Sequence, residues 1–140
     1  MRRSTVVLGC VLSALLAAGC DNGPDTGPSP NPGPPIVETF AGTVNLNGSV
    51  THSFESTGAG TVTATISALE PNSSILGFQL GTWNAAAGVC TIVLSNDVAT
   101  LQSAHTALTQ SRASLCARLH DPNGLLTSGA VTYTLTVNHP

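Results

Sequence analysis

Two stretches of the chain, TVTATISAL at 61–69 and VTYTLTV at 131–137, alternate threonine or serine with apolar residues. Side chains on a strand point to opposite faces with period two. The pattern therefore builds strands with one apolar face and one hydroxyl-covered face, whereas a helix would smear both kinds around its circumference. Threonine is β-branched and fits a pleated surface.

The same period recurs along most of the chain. Phe40, Val44 and Leu46 share one parity, and Asn47-Gly48 follows as a tight-hairpin signal. Val50, His52 and Phe54 face one way, as do Val62, Ala64, Ile66 and Ala68. Leu76, Phe78 and Leu80 form the next set after a turn at Glu70-Pro71-Asn72, and Cys90, Ile92 and Leu94 follow a turn over 84–88. Residues 98–110 fit helical spacing through Val98, Leu101, His105 and Leu108, and strand spacing through Ala104, Thr106 and Leu108; the threonine content favours a short strand near 103–109. Leu115, Ala117 and Leu119 make one more set, Asp121-Pro122-Asn123-Gly124 turns the chain, and Val131, Tyr133, Leu135 and Val137 close it. About seven or eight short antiparallel strands, each apolar on one side, must stack as two sheets. The expected fold is all-β, an antiparallel β-sandwich of jelly-roll or immunoglobulin-like type.

Charge excludes several functions. The chain has four Lys+Arg against seven Asp+Glu. None of the four is lysine, and Arg2 and Arg3 lie at the N-terminus, leaving Arg112 and Arg118 for the domain. Nucleic-acid binding needs clustered cations to displace counterions, and a basic membrane-surface patch needs the same.

Residues 1–19 carry a positive start, an apolar run from Val6 to Ala18, and small residues at the end. That is the layout of an export signal, and the run falls short of the about 20 residues a membrane-spanning helix uses. Leu16-Ala17-Ala18-Gly19-Cys20 resembles the lipobox of bacterial lipoproteins, with alanine at 17 where leucine is more frequent. The resemblance implies cleavage before Cys20 and lipidation of its thiol and amine. Two or three acyl chains would anchor the protein stably where one holds only marginally; the sequence leaves open which membrane carries it. Residues 20–35 then read as the lipid-bearing cysteine and a tether, since DNGPDTGPSPNPGPP offers no apolar side chain but proline. The folded domain is expected over 36–140.

With Cys10 in the signal and Cys20 lipidated, Cys90 and Cys116 remain as an even pair. In an oxidising compartment they are expected to form a disulfide worth roughly 3 kcal/mol. A metal site is the alternative, though it would call for more Cys or His near by. Cys116 is out of phase with Leu115 and Leu119, which puts the bridge on an outer face or sheet rim.

The segments ETFAGTVNLNGSVTHSFES, GAGTVTATI, SILGFQLGTW, SLCARLHD and VTYTLTV together resemble the bacterial pre-peptidase C-terminal domain family, over most of 37–138. Leu115 stands where that family often has tyrosine, and Ser111-Arg112-Ala113 replaces a usual glycine turn. The resemblance implies a β-sandwich that commonly serves as a non-catalytic appendage of secreted proteins. It also brings calcium into view, because some members bind it. Asn96-Asp97 and Asp121-Pro122-Asn123, read as loops, offer oxygens for Ca²⁺, against ordinary turn chemistry, which is favoured.

Other candidate chemistry is sparse. His52 matches the family's aromatic or histidine slot and reads as a core-edge residue. His120 and Asp121 are adjacent and would point to opposite faces of a strand. No H-E-x-x-H or G-x-S-x-G motif occurs, and Glu38, Glu55, Glu70, Asp97 and Asp121 are widely spread. Trp83 could stack a sugar; filling the core rim is favoured. The sequence thus points to a lipid-anchored envelope protein carrying a non-catalytic binding, adhesion or assembly module with a protein or glycan partner. The alternative is an accessory module binding carbohydrate or Ca²⁺ through Trp83, Asn96 or Asp97, and a small hydrolase ranks last. In a bacterial host, radioactive palmitate is expected to label the wild-type chain and not Cys20→Ala. Label that persists in the variant, or never enters the wild type, would make residues 15–24 an ordinary signal end.

Overall fold

The computed structural model describes residues 34–126 and 129–140. The signal, Cys20 and nearly all of the tether lie outside the described residues. Eight strands run in the order β1 (Ile36–Val44), β2 (Ser49–Ser56), β3 (Gly60–Glu70), β4 (Leu76–Asn84), β5 (Val89–Ala99), β6 (Ala104–Thr109), β7 (Ala113–His120) and β8 (Val131–His139), with a 3-10 turn at Pro122–Gly124. They form two four-stranded sheets, β1-β8-β3-β6 and β2-β7-β4-β5, and every ladder is antiparallel. The expected sandwich is the observed one.

The core forms where the two apolar faces meet. Val62, Ala64, Ile66, Leu135 and Val137 of the first sheet and Leu76, Phe78, Ala117 and Leu119 of the second have no exposed surface. Each large side chain so buried contributes about 1.5–3 kcal/mol of hydrophobic free energy. The threonines opposite Val131, Tyr133, Leu135 and Val137 on β8 face outward, as their parity requires.

Four local expectations are corrected. The turn at Asn47-Gly48 forms, with Gly48 N–H donating to Asn45 O at 2.8 Å, but it joins no hairpin: β1 pairs with β8 and β2 with β7. The end of β7 holds this turn. Asn47 N–H donates to Asp121 Oδ2 at 2.8 Å, and Asp121 N–H donates to Gly48 O at 2.9 Å, which steers β2 onto β7. In β3 the register shifts between Ile66 and Ala68. Ser67 is the extra residue of this bulge, so Leu69 is buried where Ala68 was expected to be. In β6 the inward face is His105, Ala107 and Thr109, not Ala104, Thr106 and Leu108. Cross-strand partners share a face, and His105 and Ala107 sit opposite the buried Ala64 and Val62. In β5, Leu80 opposes Leu94 while Gly81 opposes Ile92. The extra residue is Val93, and it splits the expected set: Leu94 packs against the core, whereas Ile92 and Cys90 turn to the outer face.

That bulge accompanies the disulfide. Cys90 on β5 and Cys116 on β7 are bonded with their Cα atoms 5.9 Å apart, although β4 lies between their strands. Neighbouring strands are about 4.8 Å apart, so a flat sheet would hold these two well beyond disulfide reach. The start of β5 instead leans over the outer face of β4 at Gly81, where a Cβ would collide with the Thr91 carbonyl oxygen. Gly81 is what lets the two backbones approach, and the bridge lies on the outer face, as the phase of Cys116 implied.

Gly81→Ala is therefore expected to lower the unfolding free energy of the oxidised protein by about 1–3 kcal/mol, the usual cost of overpacking. Urea denaturation measures it. Wild-type stability in that variant would mean that β5 does not cross over β4 at this point.

Candidate functional site

The outer face of the second sheet concentrates the domain's polar chemistry. Gln79 on β4 pairs with Arg118 on β7 and with Ser95 on β5, which puts three polar side chains in one row. Arg118 Nη1 donates to Gln79 Oε1 at 3.2 Å, Gln79 Nε2 donates to Ser95 Oγ at 3.2 Å, and Ser95 Oγ donates to Asp97 Oδ1 at 3.3 Å. Asp97 in turn lies 3.6 Å from His120 Nε2. His120 pairs with Asp97 across the sheet rather than with its neighbour Asp121. Its ring rests over Gly77, where a Cβ would strike it, and its Nδ1 is buried without a partner. Burial lowers the His120 pKa below 6.5, the Arg118 guanidinium adds to that, and Asp97 and Asp121 oppose it.

Of the expected ligand residues, Asp97 and Trp83 lie on this face, whereas Asn96 pairs with the inward-facing Phe78. Asn96 and Asp97 lie within β5, not in a loop. Asn96 Oδ1 accepts from Val98 N–H at 3.1 Å. Asp121 is buried and its carboxylate accepts two backbone N–H groups, from Asn47 at 2.8 Å and from Leu126 at 3.1 Å; this is turn capping. Among the described residues no three His, Cys, Asp or Glu side chains gather where they could hold one metal ion. Trp83 sits opposite Cys90 on the outer face, outside the core cluster. It was expected at the core rim, but Leu76, Phe78 and Leu80 take the inward parity of β4, which leaves Trp83 with Gln79 and Gly81 on the outer side.

The remaining histidines are structural. His52 stacks on Phe40 with ring centroids 4.8 Å apart and meets the Tyr133 hydroxyl through Nε2 at 2.7 Å. Burial lowers the His52 pKa below 6.5 and pushes that of Tyr133 up to about 12, so both are neutral near pH 7 and share the phenol's or imidazole's proton. His105 Nε2 reaches the Phe78 carbonyl oxygen at 2.8 Å, bridging β6 to β4 across the sandwich. His139, fully buried, meets Glu38 Oε1 at 2.9 Å. Its parity with Val131–Val137 was the signal for that burial.

A second feature lies on the flank of the sandwich that carries β5 and β6, one edge strand of each sheet. An apolar cleft of about 120 Å³ opens there between Leu80, Val93, Leu94, Ala107, Leu108 and Leu115. Sequence reading missed it because it forms between sheets. A broader trough crosses the outer face of the first sheet over Ala41, Ala68, Thr132 and Thr134, with Glu70 at its rim.

No protein-family model and no curated protein matches the chain. Among solved structures, PliG of Aeromonas hydrophila, a periplasmic lysozyme inhibitor of g-type lysozyme, is similar with a TM-score of 0.53 and 15% identity, covering 72% of this chain and 83% of that one. The likeness is one of fold.

The two lowered histidines set a pH dependence. Below pH 6.5 the unfolded chain binds protons that folded His52 and His120 refuse. Stability is thus full above that pH and falls on acidification through it, until the folded-state pKa values are reached. Thermal melts at pH 7.5 and 5.5 are expected to show a smaller drop in Tm for His52→Gln/His120→Gln than for wild type. An equal drop would remove both rings as the cause.

Proposed function

We propose that the chain is a lipid-anchored protein of the bacterial cell envelope whose sandwich, of the pre-peptidase C-terminal type, binds another protein without catalysing a reaction. The observation that carries this reading is how the reactive side chains are used. His52, His105 and His139 meet Tyr133, the Phe78 carbonyl and Glu38, and the Asp121 carboxylate caps two backbone N–H groups. Groups committed to such contacts hold the fold rather than a substrate. The signal over 1–19, Cys20 and the tether over 20–35 support an anchored module that reaches away from a bilayer. A protein partner is further supported by PliG, which has a related fold and is described as an inhibitor of another protein.

Lipidated full-length protein in nanodiscs tests the reading. A g-type lysozyme is the first protein to titrate by calorimetry, beside a glycan array and Ca²⁺. Binding is expected to a protein, and a broad ester, glycoside and peptide substrate screen is expected to show no turnover. Turnover abolished by substituting one serine or histidine would overturn the non-catalytic reading. Binding confined to glycans or Ca²⁺ would replace the protein partner by the accessory-module alternative.

A further inference from the structure

Resting on the reading above as a protein-binding module, we propose that the β5–β6 flank is its docking site, and that it takes an extended, uncharged segment of the partner. The segment adds as a strand to the free edge of β6 and inserts one aliphatic side chain into the cleft beside it.

Two independent features define that occupant. The first is the edge. Among the described residues β6 pairs on one side only, with β3. Ile66 N–H donates to Ser103 O at 3.0 Å, and ladder bonds alternate along antiparallel strands. His105 and Ala107 therefore direct their backbone groups to β3, while Ala104, Thr106 and Leu108 direct theirs outward. An open row of N–H and C=O groups is completed by another extended backbone.

The second is the cleft. Its volume of about 120 Å³ is close to that of cavities that take a benzene-sized apolar molecule, so it admits one aliphatic side chain. Its floor is the buried Leu80 and Leu115, and Val93 and Leu94 of β5 and Ala107 and Leu108 of β6 wall it. Its lips are Leu108 and Val93, 73% and 67% exposed. β6, AHTALT, carries no Asp, Glu, Lys or Arg, nor do residues 89–96 of β5. An edge usually guards itself with charge or proline. This one has neither, and a charged segment would find no counter-ion there.

The full chain in nanodiscs is titrated with a dye-labelled pentapeptide alternating threonine with aliphatic residues, read by anisotropy and amide hydrogen exchange. Saturable binding is expected, with exchange of the Thr106 and Leu108 amides slowed at least tenfold. Leu108→Lys, which alters an exposed lip, and Thr106→Pro, which removes an N–H not used by β3, are each expected to weaken binding at least tenfold with the thermal transition retained. The same peptide with aspartate at its central aliphatic position is expected not to bind. No binding at millimolar peptide would overturn the proposal. So would slowing of the same amides by added lipid, or by raised protein concentration alone, which would make an acyl chain or a second copy the occupant. Photo-crosslinkers at Leu108 and at Thr134, on β8 in the trough of the same sheet, separate this site from the broader reading. Partner adducts at Thr134 alone would retire the site and leave protein binding standing; adducts at neither would retire both.

Discussion

Each strand of this chain has one apolar side, and that side must be covered. A single sheet of such strands would leave a whole face of Val, Leu, Ile and Phe in water, at about 25 cal/mol per Å². Stacking two sheets removes both faces at once, and everything else follows from this pairing. It turns His139 inward behind Val137. It also leaves the threonines of β8 and β3 as a solvent-facing surface that needs almost no charge.

The points where period two breaks are where the molecule acquires its individual features. The bulge at Ser67 exchanges Ala68 for Leu69 as the buried residue, and Ser67 Oγ joins Thr134 O at 3.2 Å and Thr136 Oγ1 at 2.9 Å. The bulge at Val93 lets β5 change level, so that one disulfide spans two strands away over Gly81. The extra residue, Val93, also lines the apolar cleft beside Leu80 and Leu115. Bulges bend strands and re-aim side chains. Here the bulge at Val93 separates the inward Leu94 from the outward Ile92 and Cys90.

Much of the fold was legible because strand parity is a local property. The sets on β7 and β8 are buried as read, that on β2 faces the core with Phe54 buried and Val50 and His52 half-buried, and Cys90 and Cys116 meet. The errors share one cause. A turn signal such as Asn47-Gly48 encodes a chain reversal but not the partner that follows, which Asp121 supplied from 74 residues away. The face of β6 was inverted because AHTALT alternates small residues on both sides, and only pairing with β3 distinguishes them. The row Arg118–Gln79–Ser95 left no trace in the sequence, since its members lie on three strands.

By itself the sequence determined the class of fold and the direction in which most side chains point. These rest on spacing between near neighbours, which pleat geometry converts directly into faces. The tertiary structure decided which strands pair, which histidines gain partners, and where an open edge meets an apolar cleft. These depend on residues far apart in the chain, and their proximity exists only after the two sheets have closed on each other.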